Sequence, residues 1–169
     1  MKKNIPTLPM ADLHHLNAAE GWLGLGDWQS ADDELEAITP ELRAHPEVLE
    51  VRWQVHAVAK RWEACVQIAT TLAELAPDRP SGWIHRSFAL HELKRTQEAL
   101  DNLLSVVARF PKDATMPYNL ACYECQLGRL AEARRWLAAA FKLAGSAQTK
   151  SMALQDEDLR PLWEHIGEL

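Results

Sequence analysis

Two cysteines three residues apart, Cys122 and Cys125, sit in the stretch YNLACYECQLGRLAEARRWL (118–137). A Cys-x-x-Cys pair can give two thiolates to a zinc ion, or run thiol–disulfide exchange where a helix N-terminus lowers a thiol pKa. Structural zinc takes four ligands, and the chain has no second pair; its remaining cysteine, Cys65, stands alone. Redox chemistry needs the helix start, whereas both cysteines fall in the middle of a helix running past Pro117. A wider set adds His91. If the chain repeats so that His91 and Cys125 share a column, then Cys122, Cys125 and His91 line one surface, and a metal-binding or enzymatic protein would use them.

The other reactive residue types point to packing and solvation. His14-His15 reads as a surface or cap pair, and His56, His85 and His91 as polar residues lining a groove. Asp32-Asp33-Glu34 and Asp156-Glu157-Asp158 read as solvated helix starts that the helix dipole favours, and neither has calcium-loop spacing. No nucleophile elbow, phosphate loop, His-Glu-x-x-His or dinucleotide fingerprint occurs. The reading is therefore no catalytic residue, no metal and no cofactor.

Composition narrows the partners. The chain has 169 residues, 47% hydrophobic and 25% charged, with a formal charge of −6. Phosphate backbones are bound by clustered Lys and Arg, and here such residues come only in pairs, so nucleic acid is not the expected partner. The start, MKKNIPTLPM, has two lysines with no apolar run behind them, and no segment approaches the roughly 20 apolar residues of a bilayer span. An odd count of three cysteines makes no disulfide framework. These features predict a reduced, cytoplasmic protein with no membrane contact.

The elements that position these residues follow from a repeat. A 34-residue step aligns Leu25, Ala59, Leu93 and Leu127; then Ala31, Cys65, Ala99 and Ala133; then Leu35, Ala69, Leu103 and Leu137; then Ile38, Leu72, Val106 and Ala140. Turn residues keep the same beat: Gly26, Lys60, Lys94 and Gly128 fall between apolar segments, and Pro77, Pro111 and Gly145 end them. Within a unit, Leu120, Ala121 and Leu127 and then Leu130, Ala133, Leu137 and Ala140 recur at helical spacing, which predicts two helices per unit. Gly128 suits the left-handed turn between them, and Asp27 and Thr96 are placed to cap second helices. The small column is where paired helices approach closely. Each pair leaves an apolar face that only a stacked neighbour can cover.

Units of this length with Trp83, Ala121, Gly128, Ala133, Ala140 and Pro111 in these places resemble tetratricopeptide (TPR) repeats, most closely over 119–144 and 21–35. The resemblance spans about residues 12–147. It implies an all-α solenoid of about four helical hairpins (12–45, 46–79, 80–113, 114–147) in a right-handed superhelix. An N-terminal extension (1–11) precedes it and a C-terminal capping helix (148–169) follows, with Leu159, Leu162, Trp163 and Ile166 on one face. Units two and three depart from the pattern. Trp53 and Ser87 replace small residues, and Arg52 and Arg86 replace apolar ones. The helix from Pro46 is therefore predicted to be rotated, burying Val48, Val51, Val55 and Val58. A short helical turn is predicted after Pro40. Trp28, Trp62, Trp136 and Trp163 read as core, with Trp53 and Trp83 as partly exposed anchors.

The resemblance also implies a site. First helices of such repeats line a concave groove for a peptide or partner helix, which here would present Glu50, Gln54, Ile84, Phe88, His91, Tyr118, Cys122 and Cys125, with Phe88 and Tyr118 as anchors. That surface has no Lys or Arg, unlike the repeats that clamp acidic chaperone tails, so an apolar or basic amphipathic segment suits it. The implied function is a non-catalytic protein-interaction module or scaffold. A secretion-type chaperone and a self-associating protein are the alternatives.

Overall fold

A computed structural model of the chain describes residues 7–168. The lysines at positions 2 and 3, and most of the expected N-terminal extension, lie outside that range. Among the described residues every regular element is a helix: α1 (Met10–Gly24), α2 (Trp28–Ala37), α3 (Pro46–Val58), α4 (Trp62–Leu75), α5 (Ser81–Glu92), α6 (Thr96–Leu104), α7 (Thr115–Gln126), α8 (Leu130–Ala144) and α9 (Ser146–Ala153). Short 3-10 turns occupy Pro40–Leu42, as the sequence predicts, and Val107–Arg109, and a longer 3-10 segment runs from Glu157 to Glu168. No described helix is long and apolar enough to cross a membrane.

The helices come in hairpins because the repeated columns do two jobs. Ala31, Cys65, Ala99 and Ala133 are all fully buried, as are Leu35, Ala69, Leu103 and Leu137. A small side chain at the first position lets two helix backbones come close, and the larger one a turn later fills the space beside it. The turn residues share one conformation: Gly26, Lys60, Lys94 and Gly128 all have positive φ, at 81°, 54°, 64° and 77°. Each closes a first helix and redirects the chain into the second. Lysine takes this left-handed form at two of the four turns although it has no glycine-like freedom.

The chain divides into two compact units, Met1–Ala89 and Leu90–Leu169, and the boundary falls inside α5. In the first unit α1 pairs with α2 and α3 with α4, around Leu16, Ala19, Leu35, Ile38, Val48, Val51 and Val55, joined by Leu8 from before α1. Asp12 is buried here, where its carboxylate accepts from Thr39 N at 2.7 Å and Thr39 Oγ1 at 3.2 Å, tying the end of α2 back to α1. The second unit packs the α7–α8 hairpin with α6, α9 and the C-terminal segment, burying Leu100, Leu120, Leu137, Ala140, Leu159, Leu162 and Ile166.

Several expectations change. Val48, Val51 and Val55 are buried as predicted, but Val58 is 52% exposed because the helix ends there, and Trp53 is buried at 8% exposure instead of standing out as an anchor. Arg52 leaves the hairpin seam to pair with acids of α2, Glu36 at 2.7 Å and Asp32 at 3.7 Å. Glu34 lies 2.8 Å from His15, so part of that acidic run is paired across helices, not merely solvated. Asp27 caps α2 through Ser30 N at 3.0 Å, whereas Thr96 caps nothing and turns its hydroxyl to His91. Trp28, Trp62, Trp136 and Trp163 are half-buried, not fully in the core. The cap is α9 plus 3-10 turns instead of one α-helix, with Asp156 accepting from Asp158 N at its start.

The turn geometry generates a stability test. Lys94→Gly relieves a left-handed lysine and, after the added unfolded-state entropy, raises stability by ~0.5 kcal/mol; Gly128→Ala imposes the same strain and lowers it by ~1 kcal/mol. Urea unfolding of the two variants reads opposite shifts in midpoint.

Candidate functional site

The eight residues singled out by the repeat register fall into two sets, one in each unit. Glu50 and Gln54 lie one turn apart on α3, and Ile84 and Phe88 one turn apart on α5. These four belong to the first unit. The Glu50 carboxylate joins the two helices: one oxygen accepts from the Ser81 hydroxyl, and the other lies 2.7 Å from His85 Nε2. Burial works to raise the Glu50 pKa, yet the hydrogen bonds from His85 and Ser81, together with the charge of His85 and Arg79, hold the carboxyl below its usual 4.5. The order of this constellation matters chemically. Glutamate sits between serine and histidine, so the imidazole does not touch the serine hydroxyl and cannot serve as its base.

His85 also stacks on Trp53, ring centroids 4.0 Å apart and planes 10° from parallel. Trp53 is accommodated this way: it occupies a position where Ala19, Ser87 and Ala121 are small, and its ring is taken up against α5. Phe88 then meets two tryptophans edge-on, Trp53 at 6.1 Å and Trp62 at 5.9 Å, while staying 39% exposed. The result is an aromatic shelf with a fixed rim, flanked by the exposed amide side chain of Gln54 and a half-buried Ile84. Sequence reasoning missed Ser81, His85 and Trp53 as the shelf's supports. The spacing of Glu50 and His85, one residue off the repeat, was the available signal.

In the second unit His91, Cys122 and Cys125 are buried and Tyr118 is half-buried. What covers them is the chain's own C-terminal segment. Tyr118 OH donates to Asp156 Oδ2 at 2.9 Å, and the Cys122 thiol reaches the same oxygen at 3.7 Å. His91 Nε2 lies 3.0 Å from Asp158 Oδ2 and its Nδ1 3.0 Å from Thr96 Oγ1. A carboxylate can only accept, so the imidazole donates through Nε2, with Nδ1 set beside the threonine hydroxyl. Gln126 adds a bond to the Asp158 carbonyl at 3.0 Å. Thus Asp156 and Asp158, which the sequence suggested were solvated, are held by donors from α5 and α7. Their position outside the repeat hid this role.

The thiols are poor nucleophiles in this setting. Burial pushes Cys125 and Cys65 up to about 11, and burial with the neighbouring Asp156 and Asp158 carboxylates pushes Cys122 well above its usual 9.0. Burial and the bond to Asp156 hold Tyr118 above the phenol range in the same way. Among the described residues no three His, Cys, Asp or Glu side chains are grouped to hold a metal ion.

Comparison with known proteins places the fold. No family model matches the chain, and no curated protein matches it. Among solved structures it resembles a thermophilic TPR protein of Thermus thermophilus, with 18% identity and a TM-score of 0.73 over 94% of this chain and 100% of that one. It also resembles MamA of Desulfovibrio magneticus RS-1 (residues 41 to the end), with 19% identity and a TM-score of 0.72 over 96% of this chain and 94% of the other. A MamA of strain AMB-1 aligns at 14% identity with a TM-score of 0.63 over 95% and 99%. At these identities the likeness is one of fold: an all-α helical repeat of the tetratricopeptide type.

Two tests follow from the geometry. Burial holds His56 below its usual 6.5, so both it and Glu50 bind protons less readily in the folded chain than in the unfolded one. Acid therefore destabilises the fold, first below about pH 6.5 through His56 and again below about pH 4.5 through Glu50. Thermal melts should show a lower Tm at pH 5.5 than at 7.5, a step that His56→Gln flattens. Separately, a thiol pKa near 11 in place of 9.0 cuts the thiolate fraction at pH 8 by ~100-fold. Iodoacetamide should label Cys65 and Cys125 that much more slowly in the native chain than in urea; equal rates would contradict their burial.

Proposed function

We propose that the chain is a non-catalytic protein-interaction module that binds a peptide or helix of another protein, with the Phe88 shelf of the first unit as its anchor. The shared fold with a tetratricopeptide-repeat protein supports an interaction scaffold in general. The observation that carries the specific reading is the state of Phe88: held between Trp53 and Trp62, yet 39% exposed. A rigid aromatic at the surface loses little conformational freedom on binding and gives up much apolar area, the profile of an interface hot spot. Ile84 extends the apolar strip by one turn and Glu50 brings a carboxylate beside it, a combination that suits an apolar segment carrying a basic residue. Gln54 offers both a donor and an acceptor to a peptide backbone.

Catalysis has little support in the same region. The Ser81 hydroxyl is bonded to Glu50, whose other carboxylate oxygen is taken up by His85, and the thiols of the second unit are buried under the C-terminal segment. The eight register residues thus contribute unequally to the proposed site. Glu50, Gln54, Ile84 and Phe88 offer surface to a partner, while His91, Tyr118, Cys122 and Cys125 engage the chain itself.

Affinity capture with the tagged full chain, followed by mass spectrometry, tests this reading. A protein retained by the wild type should be depleted at least tenfold by Phe88→Ala, a loss of ~1.4 kcal/mol or more. Helix content by circular dichroism should not change. A folded Phe88→Ala variant that retains its partner at wild-type levels would remove the shelf as the binding site.

A further inference from the structure

One position of the repeat holds arginine twice in the first unit, and the two arginines have different surroundings. Arg52 on α3 and Arg86 on α5 are 34 residues apart, one repeat. Arg52 is answered by the helix before it: its guanidinium donates to Glu36 at 2.7 Å and to the Leu35 carbonyl at 3.4 Å, and lies 3.7 Å from Asp32. Asp32 and Glu36 are four residues apart, so α2 brings both carboxylates to that arginine from one face. A step of 34 from these acids reaches Val66 and Thr70 of α4. Valine has no side-chain acceptor, and the Thr70 hydroxyl is turned back onto the Val66 carbonyl at 2.8 Å.

α5 nonetheless lies tight against α4. A Cβ at Gly82 would stand 2.6 Å from the Ala73 backbone nitrogen and 2.9 Å from its Cα, so the two helices touch backbone to backbone there. Helices joined by a short connection run antiparallel. One turn on from Gly82, Arg86 therefore comes level with Ala69 and Thr70, one turn back from Ala73. The Arg86 side chain is half-buried, and its Nε is buried with no hydrogen-bond partner. Among the described residues no carboxylate pairs with it. A guanidinium has five N–H donors and keeps its charge, so drawing it partly out of water without an acceptor is costly.

We propose that Arg86 is a docking point for an acidic side chain, aspartate or glutamate, of a partner protein. The partner supplies across an interface what Asp32 and Glu36 supply to Arg52 within the chain. The flat guanidinium fork matches the two oxygens of a carboxylate, and the half-buried setting strengthens the pairing beyond that of an exposed arginine. Arg86 and Phe88 are two residues apart and so face different ways from α5, which makes this seat independent of the aromatic shelf.

The Arg86 Nε–H resonance of the nitrogen-labelled full chain tests the proposal, with a blocked Glu-Ala-Ala-Ala-Glu peptide as the probe. The resonance should shift and saturate with this peptide and stay in place with its Gln-Ala-Ala-Ala-Gln counterpart. Thr70→Glu places a carboxylate on α4 where α2 has Glu36. It should raise the Tm of the wild type but not of Arg86→Gln, and weaken the peptide response by about tenfold or more, the loss of a charge-assisted hydrogen bond. If Arg86→Gln fails to fold, Arg86→Lys, which keeps the charge without the fork, takes its place and should show a smaller gain from Thr70→Glu. A resonance that does not move with the Glu peptide would overturn the carboxylate seat, whatever the melts show. One that inorganic phosphate moves at a tenth of the peptide concentration would overturn a protein side chain as the occupant and assign the guanidinium to a free anion.

Discussion

Two helix backbones can lie close together only where the side chain between them is small, and that constraint recurs through this chain. Ala31, Cys65, Ala99 and Ala133 meet it once in every repeat, each with no exposed surface. Once a hairpin is that tight, the turn joining its helices has little latitude, and the chain takes a left-handed residue at 26, 60, 94 and 128. Two of those positions are lysines. Close packing of the hairpin outweighs the local cost of a left-handed side chain, roughly 1–2 kcal/mol, because a different turn would shift the following helix out of register with the small residue.

The place where the rule is broken is also where a surface feature arises. Trp53 stands in the first-helix column otherwise held by Ala19, Ser87 and Ala121, and its ring cannot fit between paired helices. It is taken up by α5, stacking on His85, which Glu50 orients through its carboxylate. Phe88 then has two tryptophans to lean on and is left with an exposed edge. One oversized residue in a seam thus produces an aromatic shelf with ordered sides. Arg52, displaced from the same seam, is absorbed by Glu36 and Asp32 of α2.

The second unit holds Asp156 and Asp158 through directed hydrogen bonds. Tyr118 and Cys122 of α7 and His91 of α5 meet the two carboxylates, and the Gln126 amide meets the Asp158 carbonyl. Hydrogen bonds are directional, so the seat selects by geometry: acids two residues apart, followed by Leu159, Leu162 and Ile166 at helical steps. The same burial raises the thiol pKa values, which removes Cys122 and Cys125 as nucleophiles while making Cys122 a usable hydrogen-bond donor.

Period and residue size were enough, by themselves, to read out the hairpins, their turns, the small column and the face shared by Leu159, Leu162 and Ile166. Such features are local or strictly repeated, so a spacing along the chain stands for a spacing in space. Where a side chain breaks the repeat, only tertiary structure could decide the outcome. Nothing in the spacing says that Trp53 turns inward onto His85, that Thr96 leaves its cap for His91, or that Asp156 finds Tyr118. Each of those pairs joins residues whose separation is off the period or beyond it, and their meeting depends on how whole helices pack. The Cys-x-x-Cys pair is the clearest case: its spacing suggested zinc or redox chemistry, and the tertiary environment, a buried face beneath two carboxylates, sets what the thiols can do.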